Sequence, residues 1–295
     1  MKFALVFATV AAAIVAQDEV APNNKPFEIV GGHEAKVGQH RYLAGLKPSD
    51  TSASWCGGSL IASNTILTAA HCTGKGLKFA VVGTHHLSGA SDGESARVIK
   101  EIRHPQYSNL TRAYDMAVLI LDRNITGITP VPVSFETVSA NVETWVRGWG
   151  STSGSGTQSK VLKEVSVLTW DSAQASIALD STLDDSMLAA GGEEGEDACQ
   201  GDSGGPLTIE QNGAARLVGV VSWGFGCGEL GMLGVYGRLS AARAFIEPHL
   251  AKKNLCVSYV VGEEAKVADV GTTEVVEADD LMVDTEGSPA MESSN

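Results

Sequence analysis

Short apolar runs of strand length, cut apart by Gly, Ser and Asn turns, recur along most of this 295-residue chain. One set covers 42–46, 59–61, 65–68, 79–82, 98–102 and 117–121, and a second covers 144–147, 162–168, 207–210, 217–222 and 234–236. Runs of this length and spacing point to an all-β fold and suit two antiparallel barrels. A single helix is expected from 241 to about 252, burying Phe245, Ile246 and Leu250.

Residues 197–207 read Asp-Ala-Cys-Gln-Gly-Asp-Ser-Gly-Gly-Pro-Leu. Small residues around Ser203 let the backbone turn sharply and aim neighbouring N–H groups at one point. The string alone is equally a Gly-rich turn. A serine hydroxyl becomes a nucleophile only beside a base, which in turn needs an orienting carboxylate. His71, in Thr68-Ala69-Ala70-His71-Cys72, follows the apolar pairs Leu60-Ile61 and Ile66-Leu67 and is the one histidine next to a cysteine. A bridge from Cys72 to Cys56 would clamp its backbone. The remaining histidines, His33, His40, His85, His86, His104 and His249, lie in polar, turn-like or terminal contexts and are expected at the solvated surface. Asp115 opens the apolar run 115–121. By itself it reads as a strand-end cap; with His71 and Ser203 present, a role in orienting the histidine is favoured.

These segments, with Ile29-Val30-Gly31-Gly32, Gly148-Trp149-Gly150 and Ser222-Trp223-Gly224, occur in the order found in trypsin-like serine proteases of the chymotrypsin family. The resemblance spans about 29–250 and implies two packed six-stranded antiparallel β-barrels with a C-terminal helix. It implies Ser203 as nucleophile, His71 as general base and acid, and Asp115 as the group that fixes the imidazole tautomer. Gly201 and Ser203 N–H groups would form the oxyanion hole, and Ser222, Trp223 and Gly224 would pair with an extended peptide. By the same resemblance Ser222 would also hydrogen-bond Asp115. Asp197 matches the floor of the primary specificity pocket, with Gly224 and Gly234 as its walls, implying cleavage after Arg or Lys. An amino terminus created at Ile29 would pair with Asp202, although Glu28 stands where many zymogens of the family carry Arg or Lys. Disulfides Cys56–Cys72 and Cys199–Cys227 are implied. A third family bridge is missing at both ends, with Ala189 at one position, so the segment beside the pocket is expected to be looser. Cys256 is left over.

The first 16 residues have the form of a secretory signal, 17–28 of a propeptide and 29–256 of the protease domain, which places the protein outside the cell. The formal charge of −14 is carried largely by residues 257–295, where ten acidic residues face one lysine, Lys266; this tail is expected to be disordered. There is no basic patch for nucleic acid, no membrane span and no metal-ligand spacing, and no cofactor is expected. Asn109 and Asn124 head glycosylation sequons, and the 151–159 stretch is a rim loop near the cleft. The expected protein is a monomeric endopeptidase acting on proteins or peptides and open to proteinaceous inhibitors. The alternative is a non-catalytic homologue that binds or inhibits a plant glucanase, since the resemblance includes relatives that kept the fold for binding.

Overall fold

The computed structural model describes residues 32–151, 156–193, 198–225 and 228–250. Ile29, Asp197, Cys227, Cys256, the leader, the propeptide, the acidic tail and the middle of the rim loop lie outside them. The strands run β1 (His33–Glu34), β2 (Leu43–Lys47), β3 (Cys56–Ala62), β4 (Thr65–Thr68), β5 (Phe79–Val82), β6 (Glu94–Arg103) and β7 (Ala117–Leu121). Then follow β8 (Glu143–Gly148), β9 (Lys163–Leu168), helix α1 (Ser172–Ala178), β10 (Met187–Gly191), β11 (Pro206–Gln211), β12 (Ala214–Gly224), β13 (Leu233–Arg238) and helix α2 (Arg243–Ile246).

Six strands close a barrel in the order β2-β3-β4-β7-β6-β5, and the rest form a seven-stranded antiparallel sheet ordered β1-β9-β8-β11-β12-β13-β10. This is the chymotrypsin-like two-barrel fold. Among the described residues the end of β9 meets β10 through an isolated bridge, Thr169 with Ala190, and through Trp170 N–H, which donates to Ala189 O at 2.9 Å. Strands β2, β3, β4 and β10 are buried along their whole length, and one apolar cluster runs from Leu43, Leu60 and Leu119 of the first barrel to Trp149, Leu217 and Ile246. Through that cluster the C-terminal turns anchor on both halves.

Several elements differ from what the local pattern predicts. The C-terminal helix shrinks to Arg243–Ile246 between two 3-10 turns, because Pro248 supplies no N–H to continue it. Helix α1 was not expected; Asp171 caps it by accepting from Ala173 and Gln174 N–H. The segment expected to be looser for want of a bridge carries that helix. Ala175, Leu179, Leu183, Met187 and Ala189 pack there against Leu233 and Val235.

His40, His85 and His104 are buried, against expectation. Each has a partner that sequence position did not reveal. His40 meets Glu164 at 3.2 Å, His85 meets Glu34 at 2.8 Å, and His104 stacks on Tyr114. His33, His86 and His249 remain at or near the surface.

Candidate active site

Asp115 is held at the entry to β7 by a tight turn. Tyr114 adopts φ +50°, its N–H donates to Ser186 Oγ at 2.8 Å, and Met116 N–H closes back on Tyr114 O at 2.7 Å. A tyrosine in the left-handed region is strained, and the surrounding bonds hold it there. The carboxylate of Asp115 is fully buried. Oδ1 accepts from His71 N–H at 2.8 Å, while Oδ2 lies 2.6 Å from His71 Nδ1 and accepts from Ser222 Oγ at 2.6 Å. Burial alone would raise its pKa, but the hydrogen bonds and charge of His71, with the Ser222 hydroxyl, hold it below the ordinary value. An ionised carboxylate only accepts, so Nδ1 carries the imidazole proton and Nε2 presents a lone pair.

The His71 turn is braced by the Cys56–Cys72 disulfide and by Thr73 N–H and Oγ, which both donate to Ala70 O. With its sulfurs bonded to each other, the Cys56, His71, Cys72 group is closed to a metal ion.

Ser203 sits on a loop tied to both halves. Its carbonyl accepts from Gly57 N–H of β3 at 2.8 Å, and Gly204 N–H donates to Val221 O of β12 at 2.8 Å. Gly204 has φ +79°, and a side chain there would meet Thr68 Oγ1 and Gly57 O. The glycine therefore permits both the turn and its seating on the first barrel.

Gln200 O accepts from Ser151 N–H at 2.7 Å. In a trans peptide the next N–H points the opposite way, so Gly201 N–H is turned away from Ser151. Neither Gly201 nor Ser203 N–H donates to another described residue. Two free N–H groups flanking a serine are what an oxyanion requires. Ser203 and His71 border the same cavity, but no hydrogen bond joins Oγ to Nε2 among the described residues. Such bonds tighten when substrate docks.

A cavity of about 210 Å³ opens beside Ser203. Ala198 to Gln200 form one side, and Ser222, Trp223, Gly224 and Gly234 the walls. Gly224 and Gly234 are register partners across β12 and β13, so two side-chain-free positions face each other along one wall. Cys199 is disulfide-bonded, its partner lying outside the described residues, as does Asp197.

Asp202 is completely buried. Its carboxylate accepts from Gly150 N–H at 2.7 Å and Cys199 N–H at 3.0 Å. Burial lifts its pKa to about 6, which the two donors only partly offset. Sequence reasoning missed Gln158, whose Nε2 donates to Ser54 O at 3.1 Å and packs on Gly201; within a Ser- and Gly-rich loop no pattern marks it. Asn109 and Asn124 are both exposed.

A family model described as Trypsin matches residues 29–246. Glucanase inhibitor protein 1 of Phytophthora infestans is 35% identical over 247 residues, covering 81% of this chain and 95% of that protein. Glucanase inhibitor protein 2 of the same organism is 37% identical over 226 residues, with 74% and 87% covered. Trypsin 5G1 of Aedes aegypti is 36% identical over 230 residues, with 74% and 84% covered.

Proposed function

The chain belongs to the trypsin family, and from that premise we propose that it is a serine endopeptidase cleaving after Arg or Lys. The observation that carries this reading is the hydrogen-bonded line from Ser222 through Asp115 to His71, ending at a cavity shared with Ser203. Ser203 Oγ attacks the scissile carbonyl as its proton passes to His71 Nε2, and the oxyanion forms at Gly201 and Ser203 N–H. His71 returns the proton to the leaving amine, leaving an acyl-enzyme. Water, deprotonated by the same nitrogen, releases the acid and restores Ser203. Asp197 supplies the negative charge that selects a cationic side chain in the cavity walled by Gly224 and Gly234.

Secretion is part of the proposal. The apolar leader and the Cys56–Cys72 bridge both suit an oxidising compartment. The proposal also includes a cut between Glu28 and Ile29 that pairs the new amino terminus with Asp202, and glycans on the exposed Asn109 and Asn124.

A second reading is carried by the relatives. Proteins named as glucanase inhibitors are as similar to this chain as a trypsin is. On that reading the cleft face binds a glucanase, and the comparisons support it more directly than they support catalysis. His71, Asp115 and Ser203 are what the peptidase reading rests on. The test is to cut the full chain before Ile29 and assay an Arg-reporting peptide beside Ser203→Ala, with glucanase inhibition measured on both. Turnover lost in Ser203→Ala supports the peptidase; equal rates with glucanase inhibition by both proteins establish the binding reading in its place.

A further inference from the structure

Ser203 borders two cavities. The first is the specificity cavity; the second, of about 240 Å³, is lined by Trp55, Cys56, His71, Cys72, Lys75 and Ser203. A peptide with its carbonyl at Ser203 and its acyl-side residue in the first cavity must lay the residue after the cleaved bond over the second. The surfaces there are distinctive. Trp55 is 38% exposed, an unusual position for an indole, and forms one wall beside the disulfide. Lys75 is exposed and has neither an ion pair nor a hydrogen bond among the described residues.

The charges next to Lys75 are already engaged. Glu101 accepts from Gly74 N–H at 2.7 Å, and Arg103 donates to Thr73 O at 2.7 Å. The turn therefore presents a spare positive charge at the mouth of the cleft, in a chain whose formal charge is −14. Gln158 Nε2 donates to Ser54 O, the backbone position just before Trp55.

We propose that this second cavity selects a carboxylate-bearing residue, with Glu favoured, immediately after the cleaved bond. The Trp55 ring covers the methylenes, and Lys75 meets the carboxylate. The inference rests on the peptidase reading for its direction along the peptide, and makes Lys75 and Trp55 specificity residues that take no part in bond breaking.

The test uses two peptides identical through an Arg at the cleaved position and followed by Glu in one and Lys in the other. Their binding to the full chain cut before Ile29 and carrying Ser203→Ala is measured, together with their turnover by the intact triad. The Glu peptide is expected to bind about 3- to 5-fold more tightly, the scale of one exposed ion pair, with the difference fading in high salt. Lys75→Glu should reverse the preference, and Trp55→Ala should weaken both peptides. Equal binding of the two peptides, or a preference unchanged in Lys75→Glu, overturns the inference. Selective binding without turnover removes the peptidase reading and leaves standing only the second cavity's preference for Glu; turnover without selectivity removes this inference alone; and neither binding nor turnover of either peptide removes both.

Discussion

Gly150 N–H donates to Asp202 Oδ1 at 2.7 Å in a site closed to solvent, one residue from the candidate nucleophile. A side chain at Gly148 or at Gly150 would run into that carboxylate. The Gly-Trp-Gly segment is thus the cradle of a buried acid, and among the described residues no cation faces it.

This burial makes stability depend on pH in an unusual direction. Asp202 has an ordinary pKa of 3.8 in the unfolded chain and about 6 in the folded one. Between those values the folded protein keeps a proton that the unfolded chain has released. Raising the pH therefore withdraws stability, on the order of 3 kcal/mol, with the loss complete above the folded pKa. In the uncut chain, the melting temperature of wild type relative to Asp202→Asn should fall as pH rises from about 4 to about 7. A cut before Ile29 should abolish that fall by supplying an ammonium. A flat difference in the uncut chain would show that Asp202 already has a counter-charge.

Asp115→Asn should leave the fold intact and lower turnover by roughly 10⁴-fold, because the amide can donate to Nδ1 and so favour the wrong imidazole tautomer. Ser222→Ala should cost less, since it removes one of the donors to a carboxylate that His71 also engages. Steady-state kinetics on an Arg-reporting substrate decides both, and a loss under tenfold in Asp115→Asn would count against the assigned role.

Asp197→Ser should abolish the preference for Arg and Lys while leaving the reaction of Ser203 with an unselective phosphonate unchanged. Profiling cleavage of a mixed peptide pool reads the first, and the rate of covalent labelling reads the second. Unchanged specificity would remove Asp197 from the pocket floor.

Gly204→Ala adds a methyl in a left-handed conformation against Thr68 and Gly57, so it combines strain with overpacking. A destabilisation of about 2–5 kcal/mol is expected. Gly213, with φ +74° and nothing within 4 Å of the added methyl, is the control. Gly213→Ala should cost only the strain, about 1–2 kcal/mol. Urea midpoints of the two variants separate the effects, and equal midpoints would mean that the Ser203 turn yields.

Arg147 is buried and donates to Glu164 at 2.8 Å, to Glu210 at 3.0 Å and to Thr208 Oγ1 at 2.6 Å. Burial would raise the pKa of Glu164, yet hydrogen bonds and charge from His40 and Arg147 bring it down to about 2. Arg147→Met strands that carboxylate and should cost about 3–5 kcal/mol, part of which the added change Glu164→Gln restores. Chemical denaturation of the single and double variants measures it.

The proposed triad could be read along the chain because each member stands in a local context of its own: a Gly-rich turn around Ser203, a small-residue corner before His71, an apolar run after Asp115. Strand existence was legible for the same reason, since alternation and turn residues are local. The partnerships were not. His40 finds Glu164 and Gln158 finds Ser54 only when strands far apart in sequence are folded together, and the bare pattern around each residue pointed to the surface or to a featureless loop. Helix α1 was missed because its seven residues are too few to show a period. The sequence by itself determined which groups are candidates for the chemistry. Tertiary structure alone decided which of them are buried, and so that Asp202 holds its proton to about pH 6 while Asp115 stays ionised. Desolvation and the donors that oppose it come from residues that no local window contains.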